Sequence, residues 1–338
     1  MTVGQAHQTQ EAVMHRRDRW LVLGTLLAVV AHPTSGLGAA APPLPSRAEV
    51  QAVLAKAPAV PATNALRALN VVLVADQKDH GPGEHDYPLW QKRWRVLLGG
   101  QEGCTAVPAP VTLFHTTPPQ EAPAAAAGAP RVKVTTAWQW PTEEQLQGAN
   151  LVVVFCYRSG GGPRRWSPER VAALDAYLKR GGGLVLIHSG TYTLGDLKTP
   201  EGQRVVVLSG LVFDQGIQVR HGPMALKIAM PEHPICRGLP PVIRWIDEPY
   251  WPPTGEPRSV QVLATSAETV AKGATQLKPQ PMFWCYARGK GRVFGCTPGH
   301  FNWTFDDPYF RILLLRGMAW AAGESPYRFD PLVLRGLP

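Results

Sequence analysis

The stretch from Leu151 to Gly190 restricts the fold more than any other part of this chain. Leu151-Val152-Val153-Val154-Phe155-Cys156-Tyr157 is a continuous apolar run, the pattern of a strand buried on both faces. Ser167-Pro168-Glu169-Arg170 then supplies a cap residue, a proline at the first helical position and an acid in the first turn, and this segment closes on Lys179-Arg180-Gly181. A second apolar run, Leu184-Val185-Leu186-Ile187, ends abruptly on His188-Ser189-Gly190. Strand, helix and strand make one parallel crossover. It places His188 at the carboxyl end of the second strand, where open α/β sheets receive their ligands.

The flanking sequence extends the same architecture. Leu69-Asn70-Val71-Val72-Leu73-Val74-Ala75 opens the core, a Gly/Pro loop over 76–86 follows, and a helix over 88–98 is closed by Gly99-Gly100. Residues 120–130 are an alanine-rich insertion without periodicity, and Thr142-Glu143-Glu144-Gln145 is a capping box ahead of a short helix. Short strands are expected over 224–230, 260–264, 282–287 and 292–297, the last two joined as a hairpin by Arg288-Gly289-Lys290-Gly291. Asp307-Pro308 starts a final helix running to about Ala322. The chain has 338 residues, 45% of them apolar and 17% charged, enough to bury one large α/β core over 69–325. Residues 41–68, rich in Ala and Pro, read as a linker or a short N-terminal helix, and 326–338 as a C-terminal tail.

The N-terminus stands apart. Arg16-Arg17-Asp18-Arg19 precedes the apolar run from Trp20 to Val30, and Gly38-Ala39-Ala40-Ala41 follows, the order of a secretory signal over 1–40. This predicts a periplasmic or extracellular protein, exported by a general or twin-arginine route. The apolar run is shorter than the roughly 20 residues of a spanning helix, so no stable membrane span is expected after cleavage. The formal charge of +9 is spread along the chain without clusters of basic and aromatic residues, which argues against nucleic acid as a partner. Five cysteines, an odd number without CxxC spacing, argue against a disulfide framework or a zinc-thiolate site. Cys156 and Cys285 lie in apolar strand patterns and read as core.

Candidate chemistry comes from the histidines and from one acidic-aromatic motif. His80, His85, His188, His221, His233 and His300 fall in loops or at strand ends, and loops after parallel strands converge on one sheet edge. Several imidazoles meeting there could bind a divalent metal such as zinc or move protons near neutral pH. Taken singly, each reads more simply as a loop histidine capping backbone groups. Asp247-Glu248-Pro249-Tyr250-Trp251 sets two carboxylates beside two aromatics, which suits sugar hydroxyls and apolar sugar faces, or a charged turn beside the core. Gly160-Gly161-Gly162 lacks both the Lys-Ser/Thr pair of a phosphate loop and the spacing of a dinucleotide fingerprint, so no nucleotide cofactor is expected.

The ordered series Gly181-Gly182-Gly183 with Ile187-His188, Phe213 to His221, His233-Pro234-Ile235 with Gly238-Leu239, Asp247-Glu248-Pro249-Tyr250, Gly289-Lys290-Gly291-Arg292-Val293 and Gly299-His300 resembles the ThuA-like (trehalose utilisation) family over about Leu69 to Gly323. The resemblance implies a flavodoxin-like, class I glutamine amidotransferase-like three-layer sandwich and a link to carbohydrate metabolism. In amidotransferases of this fold the strand-to-helix elbow carries a cysteine nucleophile; here Leu186-Ile187-His188-Ser189-Gly190 occupies the elbow, so glutamine hydrolysis by that route is not expected. Ser189 lacks a G-x-S-x-G frame. The reading is therefore an enzyme acting on a sugar or keto-sugar by metal-assisted or histidine acid/base chemistry, as a lyase, isomerase or hydrolase. Its expected catalytic residues are His188, His221, Glu248 and His300, its metal ligands His85, His188 and His300, and its substrate-binding residues Tyr87, Asp247, Tyr250 and Trp251. The partner is a small-molecule carbohydrate, and a homo-oligomer is compatible with the sequence. The rival reading is a non-catalytic carbohydrate-binding or assembly module on the same fold.

Overall fold

The computed structural model describes residues 41–100, 128–157, 166–255 and 257–335. The signal-like segment, Cys104, most of the alanine-rich insertion and Gly160 to Gly162 lie outside the described residues. Among the described residues the α-helices are α1 (Arg47–Leu54), α2 (Tyr87–Gly99), α3 (Glu143–Gly148), α4 (Pro168–Lys179), α5 (Pro200–Ser209) and α6 (Pro308–Ala321). The strands are β1 (Leu69–Ala75), β2 (Val132–Trp138), β3 (Leu151–Val154), β4 (Gly183–Ile187), β5 (Leu211–Val212), β6 (Gln218–Val219), β7 (Gly222–Ile228), β8 (Val242–Asp247), β9 (Tyr250–Trp251), β10 (Thr254–Gly255), β11 (Gln261–Thr269), β12 (Leu277–Arg288) and β13 (Gly291–Cys296). Among the described residues no helix is long and apolar enough to cross a membrane.

Nine strands form one sheet in the order β2-β1-β3-β4-β13-β12-β11-β7-β8. The first five are parallel, and their rank along the chain, 2-1-3-4-5, is the flavodoxin-like order. β12, β11, β7 and β8 extend the sheet by antiparallel pairing. The fully apolar β3 and β4 are buried along their whole length, as strands covered on both faces must be. The helix starts follow the chemistry read from sequence. Ser167 accepts from the Arg170 amide, Thr142 and Gln145 cap each other reciprocally, and Asp307 Oδ1 accepts from the amides of Tyr309 and Phe310. α6 is apolar nearly all round because it lies between the sheet and the 3₁₀ segment Pro326–Leu332.

Four features depart from the pattern reading. β2 carries Lys133, Thr135 and Thr136 on a half-exposed edge and gives no apolar run, so it does not announce itself. β8 alternates exposed and buried residues around Arg244 and lies at the opposite edge. α5 is capped by Thr199 and starts on Pro200, outside the elements expected from the pattern. The segment read as a tail is in part core: Tyr327, Phe329 and Leu332 are buried. The Ala/Pro-rich segment before β1 holds α1, whose cap is a reciprocal Ser46–Glu49 pair.

Candidate functional site

The parallel strands deliver their following loops to one edge. The loop after β1 brings Asp79, His80 and His85, β3 is followed by Tyr157, β4 by His188, and β13 by His300. β8 runs in the same sense and ends on Asp247 and Glu248. His85 and His188 both sit in the left-handed region, with φ of 41° and 47°. Such strain in a non-glycine residue marks a tight elbow at which the surrounding structure fixes the side chain. Beside His188, a Cβ on Gly190 would lie 2.5 Å from the Val154 carbonyl oxygen, so only glycine lets the elbow pack on β3.

Four donors converge. His85 Nε2 lies 2.8 Å from His188 Nε2 and 3.0 Å from His300 Nδ1. Glu248 Oε2 lies 3.3 Å from His188 Nε2 and 3.1 Å from His300 Nδ1. All four side chains are buried, and their ligand atoms lie within 4.8 Å of one another. Three imidazole nitrogens and one carboxylate oxygen are a zinc-type donor set. A neutral imidazole has one N–H, so His85 Nε2 cannot donate to both neighbours, and lone pairs are left facing each other in the absence of a cation.

The surroundings orient these donors. His188 Nδ1 is 2.5 Å from the Thr297 carbonyl oxygen, and His85 Nδ1 is 2.9 Å from Asp79 Oδ1 and from the Tyr87 hydroxyl. Carbonyl or carboxylate partners of this kind fix a metal-binding histidine with its other nitrogen inward. His300 Nε2, on the outer side of its ring, is buried without a hydrogen-bond partner among the described residues and lies 3.7 Å from Glu84 Oε1. Burial, opposed by the Asp79 hydrogen bond and aided by His188 and His300, pushes the His85 imidazole down to about 3. Burial would raise the Glu248 carboxyl, but hydrogen bonds with His188, His221 and His300 reverse the shift and hold it well below the usual range. Neutral imidazole and ionised carboxylate are the forms a metal requires.

The group opens into a cleft of 310 Å³ lined by His80, His85, Tyr157, Tyr192, Ile217, Val219, Glu248 and Tyr250. The rings of Tyr157 and Tyr192 stack at 5.6 Å. A larger groove of 550 Å³ lies between α3 and α4, but none of the four converging donors reaches it.

The fold and these motifs identify the family. The ThuA family model, described as trehalose utilisation, matches residues 95–321. The chain belongs to the ThuA family. A ThuA-like protein from Bacteroides uniformis shares the fold at a TM-score of 0.52 with 19% identity, covering 80% of this chain and 99% of that one. Another from Parabacteroides merdae has a TM-score of 0.48 and 21% identity, over 77% of this chain and 92% of its own. No functionally curated protein matches this chain. The ThuA chain thus has a glutamine amidotransferase-like fold whose elbow presents His188 in place of a thiol.

The thiols lie elsewhere. Cys156, Cys236, Cys285 and Cys296 are buried and form no disulfide among the described residues, and burial pushes the thiols of Cys236 and Cys285 up to about 12.

Of the residues singled out in the sequence, His85, His188, His300 and Glu248 meet. His221 joins them through a 2.9 Å contact from Nε2 to Glu248 Oε1, which raises its imidazole. The Tyr250 hydroxyl lies 2.8 Å from His188 Nε2. The other three expected substrate contacts are placed differently. Tyr87 is buried behind His85, where its hydroxyl also reaches Asp79 Oδ2 at 3.2 Å. Asp247 is fully buried and accepts from the amides of Gly299 and His300 and from the Thr304 hydroxyl, so it holds the His300 loop. Trp251 is buried and its indole donates to the Thr269 carbonyl. His233 lies away from the site, 3.8 Å from Cys285 Sγ. Tyr192 carries no local sequence signal, whereas the carboxyl-end rule that points to His188 applies equally to Tyr157 after β3.

Proposed function

We propose that this ThuA chain is an exported enzyme that processes a sugar or keto-sugar derivative with a divalent metal, zinc by donor type, held by His85, His188, His300 and Glu248. The observation that carries the reading is the convergence of those four donors beneath a cleft walled by tyrosines. A bound cation would supply Lewis acidity toward a sugar oxygen. Tyrosine faces suit the apolar faces of sugar rings, and the Tyr250 hydroxyl stands beside His188 to meet a polar group. The family's link to trehalose utilisation supports a carbohydrate substrate.

The test is metal analysis of the purified mature protein, coupled to turnover of a keto-glycoside before and after chelation. One equivalent of tightly bound divalent ion is expected, with activity lost on chelation and regained on adding zinc. His300→Ala should abolish both. Metal-free protein that binds the sugar without turnover would instead support the carbohydrate-binding module.

A further inference from the structure

The four converging donors face one another, and His221, held through Nε2 to Glu248 Oε1, is not among the residues that line the cleft. A reaction at a bound sugar still needs a group outside this set to take a proton. His80 is placed for it. Its ring forms part of the cleft wall, with its centroid 3.8 Å from that of His85, and its side chain is 40% exposed. Its Nδ1 lies 2.8 Å from Asp79 Oδ1, the same oxygen that holds His85 Nδ1. A carboxylate can only accept, so in the neutral ring Nδ1 of His80 carries the hydrogen and the lone pair is on Nε2. No hydrogen-bond partner of Nε2 is found among the described residues. This is the logic of a histidine held in one tautomer by a carboxylate. One carboxylate thereby orients both a donor of the inner cluster and a base on the cleft wall.

We infer that His80, oriented by Asp79, is the catalytic base that removes a proton from the carbon next to a carbonyl of the bound sugar. The inference rests on the carbohydrate-processing reading of this site. In the step, His80 Nε2 takes the proton and the C–H electron pair becomes the C=C bond of an enediolate. The carbonyl π pair moves onto oxygen, on the side of the four-donor cluster. Return of the proton from His80, after exchange with water, completes a reversible cycle without oxidant or reductant. Enolisation needs a base at the C–H bond and an electrophilic group at the carbonyl oxygen, and His80 and the four-donor cluster lie side by side in the same cleft.

The test uses the full mature protein loaded with zinc and a methyl keto-glucoside in heavy water, with deuterium uptake beside the carbonyl followed by NMR. His80→Ala should slow uptake by about 10²-fold or more, the usual range for a lost general base. Its zinc content should be unchanged, and added imidazole should restore part of the rate. His80→Gln, which retains a hydrogen-bond donor toward Asp79 but no base, should be equally slow. Either variant exchanging at the parental rate overturns the inference, as does loss of zinc from both. No exchange by the unsubstituted protein overturns the reading of the site itself, and the role of His80 with it.

Discussion

Asp247 shows how a residue can matter to a site without entering it. Its carboxylate lies at the end of the edge strand β8, yet it binds the amides of Gly299 and His300, in the loop after β13, four strands away in the sheet order. It also accepts from the Thr304 hydroxyl and from the amide of Glu248. One buried group therefore couples the backbones of two inner-cluster donors. Asp247→Ala would leave several buried donors unpaired, at about 1–3 kcal/mol each. We expect Asp247→Ala to lower the unfolding free energy by about 3 kcal/mol or more. Asp247→Asn, which keeps one acceptor, should fold while weakening zinc binding about 10–100-fold, the range for partners that orient ligands. Denaturant unfolding and metal competition check the two parts separately.

At the scale of elements, α6 carries a built-in pH dependence through its cap. Asp307 accepts from the amides of Tyr309 and Phe310, but it is buried, and burial outweighs those hydrogen bonds to push its carboxyl up to about 6. A carboxyl with a raised folded pKa binds protons more strongly in the folded chain than in the unfolded one. Its contribution to stability is therefore complete below the unfolded value near 4 and is lost as pH rises through about 6. Asp307→Asn keeps the cap acceptor and cannot ionise, so its stability should vary less than that of the parent between pH 4 and 6, as thermal melts across that range would show. Asp307→Ala removes the cap and should cost about 1 kcal/mol.

At the scale of the molecule, the C-terminal segment closes the fold. Arg316 of α6 is fully buried and pairs twice with Asp330, both contacts at 2.9 Å, while its remaining nitrogen donates to the Arg237 carbonyl. Arg328 donates to the carbonyls of Arg67 and Pro130, the residues leading into β1 and β2, and pairs with Glu324. The segment read as a tail thus ties α6 to the strand entries. Asp330→Ala would strand a buried guanidinium, a change worth about 3–5 kcal/mol. A chain truncated after Ser325 also loses the core residues Phe329 and Leu332 and bares the part of α6 that they cover, and it should fail to give a cooperative thermal transition. A truncated protein melting like the parent would show the segment to be dispensable.

The sequence by itself determined the parallel crossover, the helix starts and the position of His188, because each depends on interactions within a few residues: apolar runs, caps and a tight elbow. It also located most of the inner cluster, since His85, His188 and His300 all follow strands of a parallel core and such loops share an edge. Tertiary structure decided the rest. Whether Asp247 or Glu248 faces the cluster depends on how β8 meets the loop after β13, a long-range pairing without a local signal. The burial of Tyr87 and Trp251, the role of Asp79 and the packing of residues 326–332 follow likewise from contacts between segments far apart in the chain. Local sequence sets which groups are offered at the sheet edge; the free energy of packing those segments together sets which of them point inward.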